Sequence, residues 1–266
     1  MVKNTLIQIY SFHCYAMVSF YGMASRYKKC NIAFMNLGLV DDSFHLPISL
    51  SPEDEKIYSI RNIKLYCKLI FPVPSNAKKA LEVGSGFGGG SYIVSRYFTI
   101  PEVIGVDVLK SSVKYASNRF YNIDGLKFLH YSASNFINLS KKFDLIICLE
   151  ASLHFENKLL FFQNVANSLS DDGTFCYADI FPNSTIIILE SMLSSAGLVI
   201  IEKEDISEGV ILSINTLNKQ NGLSRLIELL MLNIHGANFT QGTILYRKLQ
   251  NRSLRYIRYK LKKVKQ

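Results

Sequence analysis

The residues best suited to chemistry begin with a glycine-rich turn. Residues 81–91, LEVGSGFGGGS, place five glycines in seven positions. No core strand or helix favours that composition, because glycine has no side chain to pack and loses more backbone freedom than any other residue. A glycine turn between a strand and a helix instead lets backbone N–H groups approach a ligand closely. A P-loop would need G-x-x-x-x-G-K-[ST], and the lysine is missing. Gly84, Gly86 and Gly89 satisfy the dinucleotide fingerprint G-x-G-x-x-G, but Gly84, Gly86 and Gly88 equally satisfy G-x-G-x-G, so the pattern alone does not choose between ligands.

The neighbouring acids are more selective. Glu82 ends a short apolar run two residues before Gly84. A carboxylate there repels a pyrophosphate and suits a cationic ligand such as S-adenosylmethionine, which carries a sulfonium and an ammonium and no phosphate. Asp107 ends the next apolar run, 23 residues after Gly84, where a carboxylate can accept both hydroxyls of a ribose. Further on, FDLIICLEASLHF carries Glu150 and His154. His154 is a candidate general base, since an imidazole titrates near ~6.5. It could equally pack or bond to backbone. Glu150 could shape the cofactor pocket, orient His154, or be a solvated strand end. His235 in NIHGANF is a second, weaker candidate base, while His13, His45 and His130 have no company that suggests chemistry.

These residues need elements to hold them. KALEV, EVIGVD, GLKFLHY, KFDLIICLE, GTFCYAD and LVIIEKED read as strands. KFDLIICLE is apolar without alternation, as expected of a strand covered on both faces. SYIVSRYF, SSVKYASNRF, ENKLLFFQNVANSLS and STIIILESMLSSAG read as the helices between them, with Phe162, Val165, Ala166 and Leu169 in register on the third. Upstream, SPEDEKIYSIRNIKLYCKLI opens with Ser51 as N-cap, Pro52 at the first position and acids in the first turn, and Ile57, Ile60, Ile63, Leu69 and Ile70 roughly follow one stripe. Alternating strands and helices predict a Rossmann-like, doubly wound α/β sheet of seven mostly parallel strands, the last (SLRYIRYKLKKV) antiparallel. The expected organisation is an N-terminal helical cap segment (1–75), a core (76–205), a helical insertion (206–252) and a last strand with a basic tail (253–266), all one structural domain.

Several of these stretches together resemble the class I S-adenosylmethionine-dependent methyltransferases of the methyltransferase-11 type. The resemblance is carried by ALEVGSGFGGGSYIVSRYF, VIGVD, FDLIICLEASLHF and LSDDGTFCYADI in that order. FYGMASRYKKCNIAFMNLGLVDD and GTILYRKLQNRSLRYIRYKLKK are similar to the branch that modifies lipids, polyketides and related natural products, such as the phthiotriolone dimycocerosate methyltransferases. The resemblance implies S-adenosyl-L-methionine as cofactor, with Glu82, Gly84, Ser85, Gly86 and Gly88 at its methionine end, Asp107 at the ribose, and Val108, Ser132 and Ala133 near the adenine. The family commonly has G-D-A after the third strand, where this chain has Tyr131, Ser132 and Ala133. It also implies Phe34 and Asn36 at the acceptor, although a turn asparagine fits the FMNLG context nearly as well. The implied activity is methyl transfer to a hydroxyl of a small lipid-like or polyketide-like molecule. Methylation at carbon or nitrogen, or a homologue that binds cofactor without catalysis, is the alternative.

Composition bounds the rest. With 48% hydrophobic and 19% charged residues, 266 residues can bury a substantial core. No apolar run reaches the ~18 residues of a membrane span, and the greasy N-terminus has no compact signal-peptide pattern. Five scattered cysteines without a C-x-x-C pair read as reduced thiols in a cytoplasmic setting, with no metal site. The net charge of +9 comes from nine Lys/Arg after residue 246, with no acid among them. That tail is read first as a solvated strand and terminus, and second as a weak contact for a membrane surface. The remainder is charge-balanced, so no nucleic-acid partner is expected. Aromatic residues in the flanking segments, among them Tyr15, Phe20, Tyr21, Phe34, Phe181, Phe239 and Tyr246, would form either an apolar lid or the core joining cap to sheet.

Overall fold

Each apolar run bounded by glycine or acid becomes a strand. The computed structural model describes residues 33–139, 141–219 and 241–264. Its strands are β1 (Lys79–Val83), β2 (Glu102–Asp107), β3 (Leu126–His130), β4 (Phe143–Leu149), β5 (Leu169–Pro182), β6 (Leu198–Asp205) and β7 (Leu254–Lys263). They form one sheet in the order β3-β2-β1-β4-β5-β7-β6. The pairings from β3 through β5 are parallel, and β7 runs antiparallel to both β5 and β6. The predicted seven-stranded architecture is therefore present, and residues 254–263 form the predicted antiparallel last strand, placed between β5 and β6.

The helices are α1 (Pro52–Ile57), α2 (Ile60–Ile70), α3 (Gly89–Tyr97), α4 (Lys110–Arg119), α5 (Lys158–Ser168), α6 (Ile186–Ser195), α7 (Ser207–Lys219) and α8 (Ile244–Gln250). Ser51 caps α1 as expected, its hydroxyl accepting from the Asp54 N–H at 3.2 Å. The predicted single helix over 51–70 is in fact two. Tyr58 and Ser59 adopt extended backbone, so Ile57 and Ile60 fall off the buried stripe and stand in solvent, while Ile63, Leu69 and Ile70 are buried. The stripe on α5 also stops early. Leu169 begins β5 rather than extending the helix.

Two apolar cores lie on opposite faces of the sheet. One joins α2, α3, α4, α7 and residues 33–39 to the sheet through side chains such as Leu65, Ile93, Leu145 and Cys176. The other joins α5 and α6 through Phe161, Phe162, Leu189 and Leu193 to Ile146, Phe175 and Tyr259. Strand β4 feeds both, which explains its unbroken apolar sequence. Phe181 and Tyr246 are core residues, and Phe34 packs edge-on against Tyr58. Tyr15, Phe20, Tyr21 and Phe239 lie outside the described residues, as do Cys14 and Cys30. Cys67, Cys148 and Cys176 are free buried thiols.

The basic final strand is not simply solvated. Arg258 and Lys260 are buried. Arg258 pairs with Glu202 and Glu204, Lys260 with Glu202, Arg255 with Asp205 at 3.0 Å, and Lys263 with Asp171 at 2.6 Å. The acids of β6 and of the start of β5 thus neutralise much of the tail. Among the described residues, no helix is long and apolar enough to cross a membrane.

Candidate functional site

The site forms where β1 and β4, neighbours in space but not in sequence, leave the sheet in the same direction. At such a reversal of strand order the helices following the two strands diverge and leave a crevice. The turn after β1 folds back on β2: the N–H groups of Gly84 and Ser85 both donate to Val106 O, at 2.8 and 3.0 Å. Gly84 and Gly86 have φ of +81° and +52°, left-handed values that side chains disfavour. A Cβ on Gly84 would lie 2.3 Å from the Ala151 Cβ, and one on Gly86 would lie 2.3 Å from the Met35 Cε. Glycine is thus required twice over, for conformation and for close approach. Gly88 caps the start of α3. The Ser85 hydroxyl is buried and has no hydrogen-bond partner among the described residues.

Asp107 closes β2. Its Oδ2 accepts from the Gly86 N–H and its Oδ1 from the Leu109 N–H, both at 2.9 Å. Burial nevertheless raises its pKa from the ordinary aspartate value. Val108 beside it is exposed. His130 lies opposite Asp107 on β3, with Nε2 3.0 Å from Val108 O, so this histidine has site company that its sequence context did not show. In the turn after β3, the Ser132 hydroxyl donates to Asn135 Oδ1 at 3.0 Å, and Ala133 is partly buried against the aromatic core.

Glu82 is 1% exposed, and both its oxygens are occupied: Oε1 accepts from the Tyr66 hydroxyl at 2.7 Å and Oε2 from the Ser91 hydroxyl at 2.5 Å. Burial pushes its pKa up to about 7 against the lowering by these donors. Glu150 follows β4 directly, with φ +52°, a strained value for a glutamate. Far from being a solvated strand end, its carboxylate accepts from the Leu37 N–H at 3.1 Å and from the Tyr256 hydroxyl at 2.7 Å, and burial lifts its pKa to about 8.

Residues 33–37 cross the crevice as a strap. Ala33 O accepts from the Gly89 N–H at 3.0 Å at one end, and the Leu37 N–H reaches Glu150 at the other. Met35 rests on Gly86 between them. Asn36 turns the strap: its Oδ1 accepts from the Gly38 N–H at 3.0 Å and from Asn62 Nδ2 at 2.8 Å. This is the local bonding of a turn asparagine.

His154 ends a single 3-10 turn, Ser152–His154, after β4, and is exposed. The turn is anchored from below by Asp179 of β5, whose Oδ2 accepts from both the N–H (2.9 Å) and the hydroxyl (2.6 Å) of Ser152. His235 lies outside the described residues. Asp107, Glu82, Glu150 and Asp179 therefore occupy the carboxyl ends of four consecutive strands, β2, β1, β4 and β5. Burial raises the pKa of all four, so the edge carries a row of desolvated acids. Sequence reading missed Asp179, Tyr66, Met35 and His130. Only Asp179, an acid ending an apolar strand, carried a local signal.

A family model described as a methyltransferase domain matches residues 74–195. The phthiotriol/phenolphthiotriol dimycocerosates methyltransferase of Mycobacterium tuberculosis is 29% identical over 232 residues, 86% of this chain and 84% of that protein. The fatty-acid O-methyltransferase of Mycolicibacterium smegmatis is 30% identical over 186 residues, 70% of this chain and 66% of that protein. Among solved structures, the O-methyltransferase of a trans-AT polyketide synthase multienzyme of Brevibacillus brevis, in complex with S-adenosyl-L-homocysteine, superposes with a TM-score of 0.55 at 21% identity, covering 71% of this chain and 68% of that one. The geranyl diphosphate C-methyltransferase of Streptomyces coelicolor gives a TM-score of 0.61 at 12% identity, covering 85% and 90%. These two share the fold.

Proposed function

Taking as premise that this chain is an S-adenosylmethionine-dependent methyltransferase, we propose that it methylates a hydroxyl on a lipid-like or polyketide-like small molecule. The cofactor fits the residues present. The edge offers a row of acids to a cationic ligand, and the Ser85 hydroxyl is buried without a partner among the described residues. On this reading Asp107 holds the ribose hydroxyls, while Val108, Ser132 and Ala133 border the adenine. Gly84, Ser85, Gly86 and Gly88 line the methionine end. Glu82 and Glu150 supply negative charge there, Glu82 from behind Tyr66 and Ser91.

When bound, the cofactor supplies a methyl carbon already attached to a good leaving group, so the protein's work is alignment and exclusion of water. An aliphatic hydroxyl must also lose its proton. The observation that carries the reading is the β4 exit beside the glycine turn, where the exposed His154 ends an anchored turn and Glu150 sits on strained backbone. His154 accepts the hydroxyl proton at a ring nitrogen, and Glu150 shapes the pocket. Phe34 and Asn36 form the strap side of the acceptor site, where Asn36 acts through the strap's shape. His235 remains a second candidate base. The acceptor is a small lipophilic molecule, and the chain works in the cytoplasm.

Calorimetric titration with S-adenosylmethionine and S-adenosylhomocysteine tests the cofactor site. Micromolar binding weakened about 10–100-fold in Asp107→Ala is expected, the loss of charge-assisted hydrogen bonds. Acceptor screening then separates hydroxyls from carboxylic acids. A fatty acid is already ionised at neutral pH and needs no base, so His154→Ala should slow transfer to a hydroxyl by about 10²–10⁴ and leave transfer to a carboxylate unchanged. Unchanged hydroxyl transfer in His154→Ala would remove His154 as the base.

A further inference from the structure

Five large aliphatic side chains stand in solvent around the carboxyl edge of the sheet. β4 and β5 are adjacent and parallel, so the segments that follow them start at the same edge. Leu153 lies in the turn after β4, Leu159 and Leu160 in the first turn of α5, and Ile187 and Ile188 in the first turn of α6. All five are exposed, Ile187 by 81% and Ile188 by 56%. α5 and α6 pack against one another over the same core, which brings their first turns to one rim beside the candidate site. Asn157, Asn183, Ser184 and Thr185 border the rim and are also exposed. Within residues 151–160 and 182–189 the full charges are Glu156 and Lys158, which cancel.

We propose that this rim rests on a bilayer surface, with Leu153, Ile187 and Ile188 in the boundary between headgroups and acyl chains. Two observations favour a lipid surface over a second protein, and a third favours this rim over the other lipid contact the chain offers. The five side chains expose on the order of 500 Å² together, enough to mark a functional patch but short of the ~800 Å² per partner that a stable protein interface buries. The border is polar and carries no net charge, which matches zwitterionic headgroups and gives little electrostatic attraction to hold a charged partner. The alternative lipid contact, the basic last strand, has Arg255, Arg258, Lys260 and Lys263 engaged with acids of this same chain. Aliphatic anchoring depends on apolar area rather than on ionic strength. A lipophilic acceptor would then pass from the bilayer directly into the carboxyl edge, a consequence that rests on the function proposed above.

The test is co-sedimentation of the full chain with phosphatidylcholine vesicles, with and without added phosphatidylserine, at low and high salt. The expected result is binding to pure phosphatidylcholine that salt leaves unchanged. Ile187→Ser combined with Ile188→Ser should weaken it at least about tenfold. Because both side chains already face solvent, that variant should keep the wild-type melting temperature and affinity for S-adenosylhomocysteine. Arg252→Ser with Lys262→Ser should bind vesicles like wild type. Failure to bind phosphatidylcholine, equal binding by the isoleucine variant, or binding that requires phosphatidylserine and disappears with salt would each overturn the proposal. A dimer in sedimentation velocity that the isoleucine substitutions dissolve would overturn it in favour of a second copy of this chain. Vesicle binding requires no methyl transfer, and a failure to bind S-adenosylhomocysteine would count against the enzymatic reading alone.

Discussion

The Tyr256 hydroxyl and the Glu150 carboxylate, 106 positions apart in the chain, meet at 2.7 Å, and the same carboxylate takes the Leu37 N–H. The first described segment, the exit of β4 and the final strand are thereby fastened at one point. This buried acid has its pKa lifted to about 8, mainly by desolvation, so the folded state holds a proton that the unfolded chain releases near the ordinary glutamate value. The associated stability is complete below that ordinary value and is lost as pH rises through about 8. Glu150→Gln keeps an acceptor for both donors and has nothing to ionise. Its melting temperature should gain on wild type by a few degrees between about pH 5 and about pH 9. A constant difference across that range would mean that Glu150 does not titrate there.

Glu82 and Glu150, with pKa values near 7 and 8, are partly protonated at neutral pH. A cation bound beside them favours the carboxylates, so binding should release protons and strengthen as pH rises from about 6 to about 8. S-adenosylmethionine, with a sulfonium as well as an ammonium, should show a steeper slope than S-adenosylhomocysteine. Calorimetry in buffers of different ionisation enthalpy counts the protons. Glu82→Gln should reduce the count, and a count of zero in wild type would remove the acids from the cofactor's charge balance.

Gly86→Ala places a methyl group on the Met35 Cε in a left-handed backbone position. Its cost should be about 1–3 kcal/mol, part strain and part collision. Met35→Ala relieves only the collision. Denaturant unfolding of the two single variants and the double variant should give a positive coupling of about 0.5–1.5 kcal/mol. Strict additivity would mean that the strap does not touch the glycine turn in solution.

Asp179→Ala should be the most damaging substitution of the four edge acids, because it strands the Ser152 N–H and hydroxyl and the Ile180 N–H in a fully buried place. A loss of about 3–5 kcal/mol is expected, with Asp179→Asn costing less. Equal losses for the two would show that hydrogen-bond acceptance is not what Asp179 provides.

The strands were legible because each packs its apolar residues into a short run closed by an acid or glycine, as in KALEVG and EVIGVD. Asp107 and the glycine turn were legible for the same reason, since their meaning lies in spacing along the chain. The break at Tyr58–Ser59 was not, because nothing local forbids a helix from continuing there, and the bend comes from packing α2 onto the sheet. Nor were the partners of the site acids: Tyr66 for Glu82, Leu37 and Tyr256 for Glu150, Met35 for Gly86. Those pairs are made by strand order, which no periodicity encodes. The tail showed the opposite failure. Its nine cations were plain in sequence, but the β6 and Asp171 acids that neutralise several of them become neighbours only through the antiparallel pairing.

That pairing also orders events in time. β7 enters between β5 and β6, so until it emerges from the ribosome β6 has no strand to join and Glu150 lacks its phenol. Without β7, strands β1 through β5 would still carry the glycine turn and Asp107, but Glu150 would lack the Tyr256 hydroxyl and β6 its neighbour, so one strand closes both the sheet and the site.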